Sequence, residues 1–301
     1  MQQSPGLTSF ESHLAISDPL ASTYHKTKMF LFLLCLANSL ACITGWLLII
    51  VVTIKVLVGP TRFQEIRNWL YANLVEFVMK DRLKGALNST KADLFSSMAS
   101  LKSFDNELSK KNALVILEIG VGTGTNLGYY PAGSRLHCVD PNQAFEVYFR
   151  RECLQKAAHL DPDIRFVAER GESMPSVADS SVDVVVTTKV LCSVTHLDQM
   201  FREIRRVLVP GGKFYFLEHV AHPSGTWRRC VQNALSNSGI WPAVFDGCMI
   251  NLEFRELLSC SGFSSVDYHS VLVMGKGVVP VSTPLQGLGI VNPFAFGVAT
   301  K

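Results

Sequence analysis

Leu117-Glu118-Ile119-Gly120-Val121-Gly122-Thr123-Gly124 closes an apolar run that begins at Ala113, and Asp140 follows Gly120 by twenty residues. Glycines so placed let a chain leave a strand sharply and let a ligand approach the backbone. The helix expected to open there would offer free N–H groups. A carboxylate ending the next strand can accept both hydroxyls of a ribose. The third glycine stands at 124, one residue early for a dinucleotide fingerprint, whose place is held by Thr125. A nucleoside cofactor without a pyrophosphate therefore fits better than a dinucleotide.

Outward from this stretch, 113–119, 135–139, 164–168, 182–187 and 213–219 each read as a strand, with helical spacing over 144–159 and 197–208 between them. Such alternation predicts an α/β fold, a mostly parallel sheet with helices on both faces. Residues 252–261, closed by Gly262, read as one more helix, and 264–273 and 294–300 as two final strands, seven in all. The Gly- and Pro-rich segment 275–293 reads as a connection without structure of its own.

Upstream the composition changes. Residues 1–28 are polar, with Gly, Ser and Pro, and are expected to be disordered. Residues 29–54 carry no charge and are framed by Lys28 and Lys55. At 1.5 Å per residue this run exceeds the roughly 20 residues that cross a bilayer core. Segment 29–58 is thus expected to be a membrane anchor, spanning or dipping in as a hairpin bent at Asn38-Ser39 or Gly45. It is too long, and too far from the N-terminus, for a cleaved signal peptide. Lys26 and Lys28 on one side and Lys55, Arg62 and Arg67 on the other leave its orientation open. The lead-in 60–112 opens with Phe63, Ile66, Trp69, Leu70, Leu74, Phe77 and Val78 at three- and four-residue intervals. That is an amphipathic helix, either capping the domain core or lying at the membrane surface. Residues 113–301 form the α/β domain.

Charged residues make up 18% and hydrophobic residues 48% of the 301-residue chain, and the mean hydropathy is +0.23. Part of the apolar surface is therefore expected to face lipid. A net charge of +3, without a basic stripe interleaved with aromatics, argues against a nucleic-acid partner. The eight cysteines are scattered, without C-x-x-C or metal-ligand spacing, so reduced thiols and no metal are expected.

The spacing E-x-G-x-G-x-G followed by Asp140 resembles motif I of the class I S-adenosylmethionine-dependent methyltransferases. Gly171-Glu172-Ser173-Met174-Pro175 sits where that family places its adenine-binding turn, 179–185 resembles its fourth strand, and 205–212 its turn into the fifth. Within that superfamily, Val190-Leu191-Cys192-Ser193-Val194, Phe216-Leu217-Glu218-His219-Val220, Thr226-Trp227 and Phe245-Asp246-Gly247-Cys248 resemble the methyltransferase-like protein seven family. The resemblance covers about residues 90–301; the long polar N-terminus and 275–293 depart from it. It implies a Rossmann-like methyltransferase fold and S-adenosylmethionine as cofactor. Glu118, Gly120, Gly122, Gly124, Asp140, Gly171 and Glu172 would hold that cofactor. Arg170 replaces the acidic residue often found before the adenine turn. The resemblance further implies a small hydrophobic alkyl thiol as acceptor, and a home on the endoplasmic reticulum membrane and lipid droplets, facing the cytosol.

Open α/β sheets bind ligands past the carboxyl ends of their strands. That rule selects Cys192 and Ser193 after strand four as pocket residues, and Glu218 and His219 after strand five as catalytic candidates, with Asp246 as a further pocket residue. A thiol ionises near pH ~8.5, so the want of an obvious general base is expected. Methyltransferases of nucleic-acid amino groups carry Asn/Asp-Pro-Pro-aromatic after strand four, where this chain reads Thr187-Thr188-Lys189-Val190. A lipid or quinone methyltransferase, or an inactive membrane scaffold, are the alternative readings.

Overall fold

A computed structural model describes residues 19–274, 277–281 and 289–301, in two compact units, Met1–Gln64 and Glu65–Lys301. In the first unit α1 covers Pro19–Val58. It begins inside the segment expected to be disordered: Pro19 suits a first helical turn, and no Gly or Pro follows until the apolar run starts. Residues 1–18 of that expectation lie outside the described residues. Gly59, at φ +81°, and Pro60 end the helix. Phe30, Phe32, Trp46 and Ile49 of the uncharged run are exposed. Several of its side chains, Leu33 and Leu36 among them, fall outside the described residues, and among the described residues no helix is long and apolar enough to cross a membrane.

The second unit is built on one sheet with strands β1 (Val115–Ile119), β2 (Arg135–Val139), β3 (Arg165–Val167), β4 (Val182–Thr188), β5 (Leu208–His219), β6 (Ser265–Met274), β7 (Gly277–Pro280) and β8 (Phe294–Thr300). Their order is β3-β2-β1-β4-β5-β8-β6-β7. The first five are parallel, and β8 runs antiparallel between β5 and β6. β1 is buried along its whole length and β4 along nearly all of its own; β1 is rich in Val, Ile and Leu and β4 in Val, as strands covered on both faces require. The expected seven strands are present. An eighth, β7, corrects the reading of 275–293 as a bare connection, because Val278 and Val279 pair with Val273 and Leu272 along the edge. Residues 275–276 and 282–288 of that segment lie outside the described residues.

Helices α5 (Glu146–Lys156), α6 (Leu197–Val207) and α9 (Phe254–Ser259) stand where helical spacing placed them. Between β5 and α9 lie α7 (Trp227–Asn237), capped by the Thr226 hydroxyl, and α8 (Ile240–Val244), neither foreseen. No α-helix follows the glycine loop. Gly120, Gly122 and Gly124 take φ values of +67°, +52° and +77°, which a right-handed helix cannot use. The chain manages only a 3-10 turn at Leu127–Tyr129 before Pro131.

The lead-in is helical, as expected: α2 (Pro60–Leu74), a π turn (Val75–Met79), α3 (Lys80–Ser96) and, after a 3-10 turn, α4 (Asn106–Lys110). From Glu65 on, however, its apolar stripe does not cap the core. Ile66, Trp69, Leu70 and Phe77 are 45–69% exposed. The polar residues instead hold it to the domain. Arg67 pairs with Asp246 at 3.2 Å, the Asn68 carbonyl accepts from Asn142, Asn73 accepts from Tyr148 at 2.9 Å, and Glu76 pairs with Arg151.

At the opposite end of the sheet the buried Asp183 accepts hydrogen bonds from the Ser103 hydroxyl (2.6 Å) and from the backbone N–H groups of Phe104 and Val115 (both 2.8 Å). It ties the entering chain to the starts of β1 and β4. Replacing it with Ala leaves two backbone donors buried without an acceptor, so urea unfolding of Asp183→Ala is expected to register a loss of about 3 kcal/mol or more. An unchanged midpoint would contradict this account of the joint.

Candidate active site

A cavity of about 810 Å³ opens past the carboxyl ends of the parallel strands, where open α/β sheets bind ligands. Gly120, Gly122 and Thr123 form its floor after β1, Asp140 and Pro141 follow β2, and Lys189, Val190, Cys192 and Ser193 follow β4. His219 enters from the end of β5, and Asp246 and Cys248 from the loop after α8. Tyr71, Val75, Leu87 and Lys91 of the lead-in helices close the remaining wall.

On the cofactor side the glycine loop is held by side chains on the strand ends. One Asp140 carboxylate oxygen accepts from the Gly122 N–H at 2.9 Å, the other from the Asn142 N–H at 2.9 Å. Burial pushes Asp140 up to about 6, against the pull of those two N–H groups. A Cβ on Gly122 would meet nothing within 4 Å, so the loop leaves open space toward the cavity. A Cβ on Gly120 would lie 2.4 Å from Val190, so that glycine is required for packing. Asp140 and Gly122 can thus hold a ribose and its neighbouring backbone face.

Glu118 and Gly124, expected to touch the cofactor, do not line the cavity. Glu118 is buried beneath the loop and accepts from Asn126 at 2.7 Å and from the Tyr130 hydroxyl at 2.6 Å. Burial pushes it up to about 7. Gly124 packs against Leu127 and Phe149. Gly171 and Glu172 also stand outside the lining. Gly171 is wedged against Met200 and Ile119, and Glu172 accepts from the Thr195 N–H and from Arg170.

The acceptor side brings Cys192, Ser193, His219 and Asp246 to one cavity. Glu218 is not with them. The alternation of β5 turns it inward, where one of its oxygens accepts from the N–H groups of Val190 (2.9 Å) and Leu191 (3.2 Å), and burial pushes it up to about 7. It shapes the turn carrying Cys192 and does not reach a substrate, which corrects its candidacy as a catalytic group. Asp246 is drawn to Arg67 and so latches α2. His219 Nε2 lies 3.1 Å from Cys248 Sγ, to which the Trp241 indole N–H donates at 3.4 Å. The Cys192 hydrogen bond, then His219, holds Cys248 below the usual thiol range, and Cys192 is correspondingly raised.

Lys91, Lys189 and Tyr71 escaped the sequence reading. Lys91 is buried on α3, donates to the Thr125 hydroxyl at 3.0 Å, and is pushed down to about 7 by burial. Burial lowers Lys189 too. A lysine in an amphipathic lead-in reads as solvated face, and nothing nearby in sequence signals otherwise. All eight cysteines are free thiols.

Because only an ionised Asp140 accepts from both ribose hydroxyls, affinity for S-adenosylhomocysteine is expected to fall as pH drops through about 6. Asp140→Asn should weaken binding by roughly 2 kcal/mol at pH 8 and flatten that acid limb. Calorimetric titration across pH checks both. Equal affinity in a folded variant would remove Asp140 from the cofactor site.

The methyltransferase domain family model matches residues 117–216. The human thiol S-methyltransferase TMT1A is 39% identical over 213 residues, covering 71% of this chain and 79% of that protein. Rat thiol S-methyltransferase TMT1B is 39% identical over 180 residues, covering 60% and 70%. A ubiquinone/menaquinone biosynthesis C-methyltransferase, UbiE of Rubrivivax gelatinosus, is 28% identical over 185 residues, covering 56% and 69%. Two solved structures share the fold at 15% identity. One is the methyltransferase bound to the Haloferax volcanii Trm112 activator (TM-score 0.51, covering 77% of this chain and 94% of that one). The other is geranyl diphosphate C-methyltransferase from Streptomyces coelicolor A3(2) (TM-score 0.50, covering 71% and 79%). With a glycine loop and ribose-ready carboxylate at the head of a Rossmann-like sheet, and with this identity across most of TMT1A, the chain belongs to the thiol S-methyltransferase family of S-adenosylmethionine-dependent methyltransferases.

Proposed function

We propose that this enzyme methylates small, apolar thiols on sulfur, at the cytosolic face of the endoplasmic reticulum membrane and of lipid droplets. The observation that carries the reading is the acceptor wall. Tyr71, Val75, Leu87, Trp241, Phe245 and Phe294 make it largely apolar, and its polar groups near the strand ends include Lys189, Cys192, Ser193, His219 and Cys248. Relatives at 37–39% identity carry the name thiol S-methyltransferase. Methyl transfer displaces a neutral thioether from a sulfonium carbon, so holding donor and acceptor in line supplies much of the rate. An apolar thiol that ionises near pH ~8.5 needs little help to become the nucleophile. In this reading Gly122 and Asp140 hold the donor, and His219 lines the acceptor end of the cavity.

The membrane placement rests on two features. Segment 29–58, uncharged from 29 to 54, has the length of an anchor. The segment from Glu65 to Phe77 is docked by its polar residues with Ile66, Trp69, Leu70 and Phe77 outward, the arrangement of a helix that meets lipid. Hydrophobic thiols concentrate at such an interface.

In detergent, the purified protein is expected to turn over lipophilic thiols faster as pH rises, with lower KM for more lipophilic thiols of matched pKa. The likeness to UbiE gives the rival its footing: robust quinol methylation with no thiol turnover would transfer the assignment to a quinone substrate. For topology, Asn88-Ser89-Thr90 is a glycosylation sequon with Asn88 exposed on α3. It is expected to stay unmodified in cells. A glycosidase-sensitive mass that Asn88→Gln removes would place the domain in the lumen instead.

A further inference from the structure

We propose that Cys192, His219 and Cys248 form a binding site for a soft divalent cation of the Zn²⁺ type, with its open coordination position facing the cavity. The two sulfurs and one imidazole nitrogen all lie within 4.8 Å of one another, and all three residues are buried. Each also lines the cavity that holds Gly122 and Asp140. Two thiolates and an imidazole select zinc-like ions over magnesium or calcium. Three protein ligands with a free fourth position are the pattern of reactive zinc sites, whereas structural sites are closed by four.

The surroundings are built to keep these atoms together. Cys192 rides on the 3-10 turn Leu191–Ser193, whose start is held by Glu218 through the N–H groups of Val190 and Leu191. Cys248 follows Asp246 and Gly247, both at positive φ, and the Met249 N–H donates to the Cys192 carbonyl at 2.8 Å. That bond clasps the two cysteine-bearing loops to each other. The Trp241 N–H points at Cys248 Sγ, as outer donors do at metal-bound thiolates. Charge also favours the ion: two thiolates balance one divalent cation, whereas two buried thiolates alone would be costly.

The consequence rests on the thiol reading above. An acceptor thiol entering the open position gives up its proton to solvent and binds as thiolate. A sulfur lone pair then attacks the sulfonium methyl, the donor carbon–sulfur bond breaks, and that electron pair stays on S-adenosylhomocysteine. The thioether product is a poorer ligand than the thiolate and leaves.

The test uses the full-length protein in detergent, stripped with chelator and titrated with Co²⁺ as spectroscopic probe. One equivalent is expected to produce thiolate-to-cobalt charge-transfer and tetrahedral ligand-field bands that Zn²⁺ displaces, and a small alkyl thiol should shift the ligand-field bands. Cys192→Ser and Cys248→Ser should lose the charge-transfer intensity while still binding S-adenosylhomocysteine. Trp241→Phe should weaken binding about 10-fold, and Cys153→Ser should change nothing. Absence of thiolate-to-cobalt bands in wild-type protein that binds S-adenosylhomocysteine overturns the site. Bound cobalt with no turnover of any thiol sinks the substrate reading and leaves the site standing. Full thiol turnover by chelated, metal-free enzyme overturns the role given to the ion.

Discussion

Buried carboxylates that accept backbone N–H groups hold the ends of the parallel strands in place. Where a strand runs out, its neighbours' N–H groups lose their ladder partners, and water cannot reach them in this interior. Asp140 takes those of Gly122 and Asn142, Glu218 those of Val190 and Leu191, and Asp183 those of Phe104 and Val115. Hydrogen bonds to an ionised acceptor are the strong kind, and they offset part of the penalty for burying the charge. Of the three, Asp140 lines the cavity and Glu218 holds the turn that carries its Cys192 wall. The loop that faces the cofactor and the turn that faces the acceptor are thus positioned by the same device.

That device fits the chemistry. A displacement between two sulfur centres needs alignment more than acid–base assistance, and alignment comes from backbone that does not move. Three glycines at positive φ would otherwise leave the 120–124 loop with too many conformations. Asp140 above and Glu118 below, the latter tied to Asn126 and Tyr130, restrict it to one.

The lead-in helix shows how packing can reverse the sense of a pattern. Its apolar spacing is real, yet polar residues do the docking: Arg67 reaches Asp246, Asn73 meets Tyr148, and Glu76 meets Arg151. Tyr71 and Val75 turn to the cavity, and Ile66, Trp69, Leu70 and Phe77 are left outside. The same helix therefore closes the cavity with one face and offers an apolar stripe with the other.

Much of this was legible in one dimension. Strand–helix alternation, the Gly120-Val121-Gly122-Thr123-Gly124 spacing and Asp140 are local features, since turn geometry and period-two burial act over a few residues. They were enough for the sheet, the class and the presence of Asp140 at the cavity. The short 3-10 turn after the glycine loop and the edge strand β7 depart from the sequence expectation because glycine leaves the backbone open: Gly120, Gly122 and Gly124 take positive φ, and Gly277 opens a strand. What no spacing could reveal is which distant side chains meet. Cys192, His219 and Cys248 come from three separate segments, and their convergence depends on β4 and β5 ending side by side. Lys91 becomes a buried cavity lysine only because α3 folds over Thr125. Glu218 and His219, adjacent in the chain, part company because successive residues of a strand face opposite ways: one holds a turn, and the other reaches the cavity.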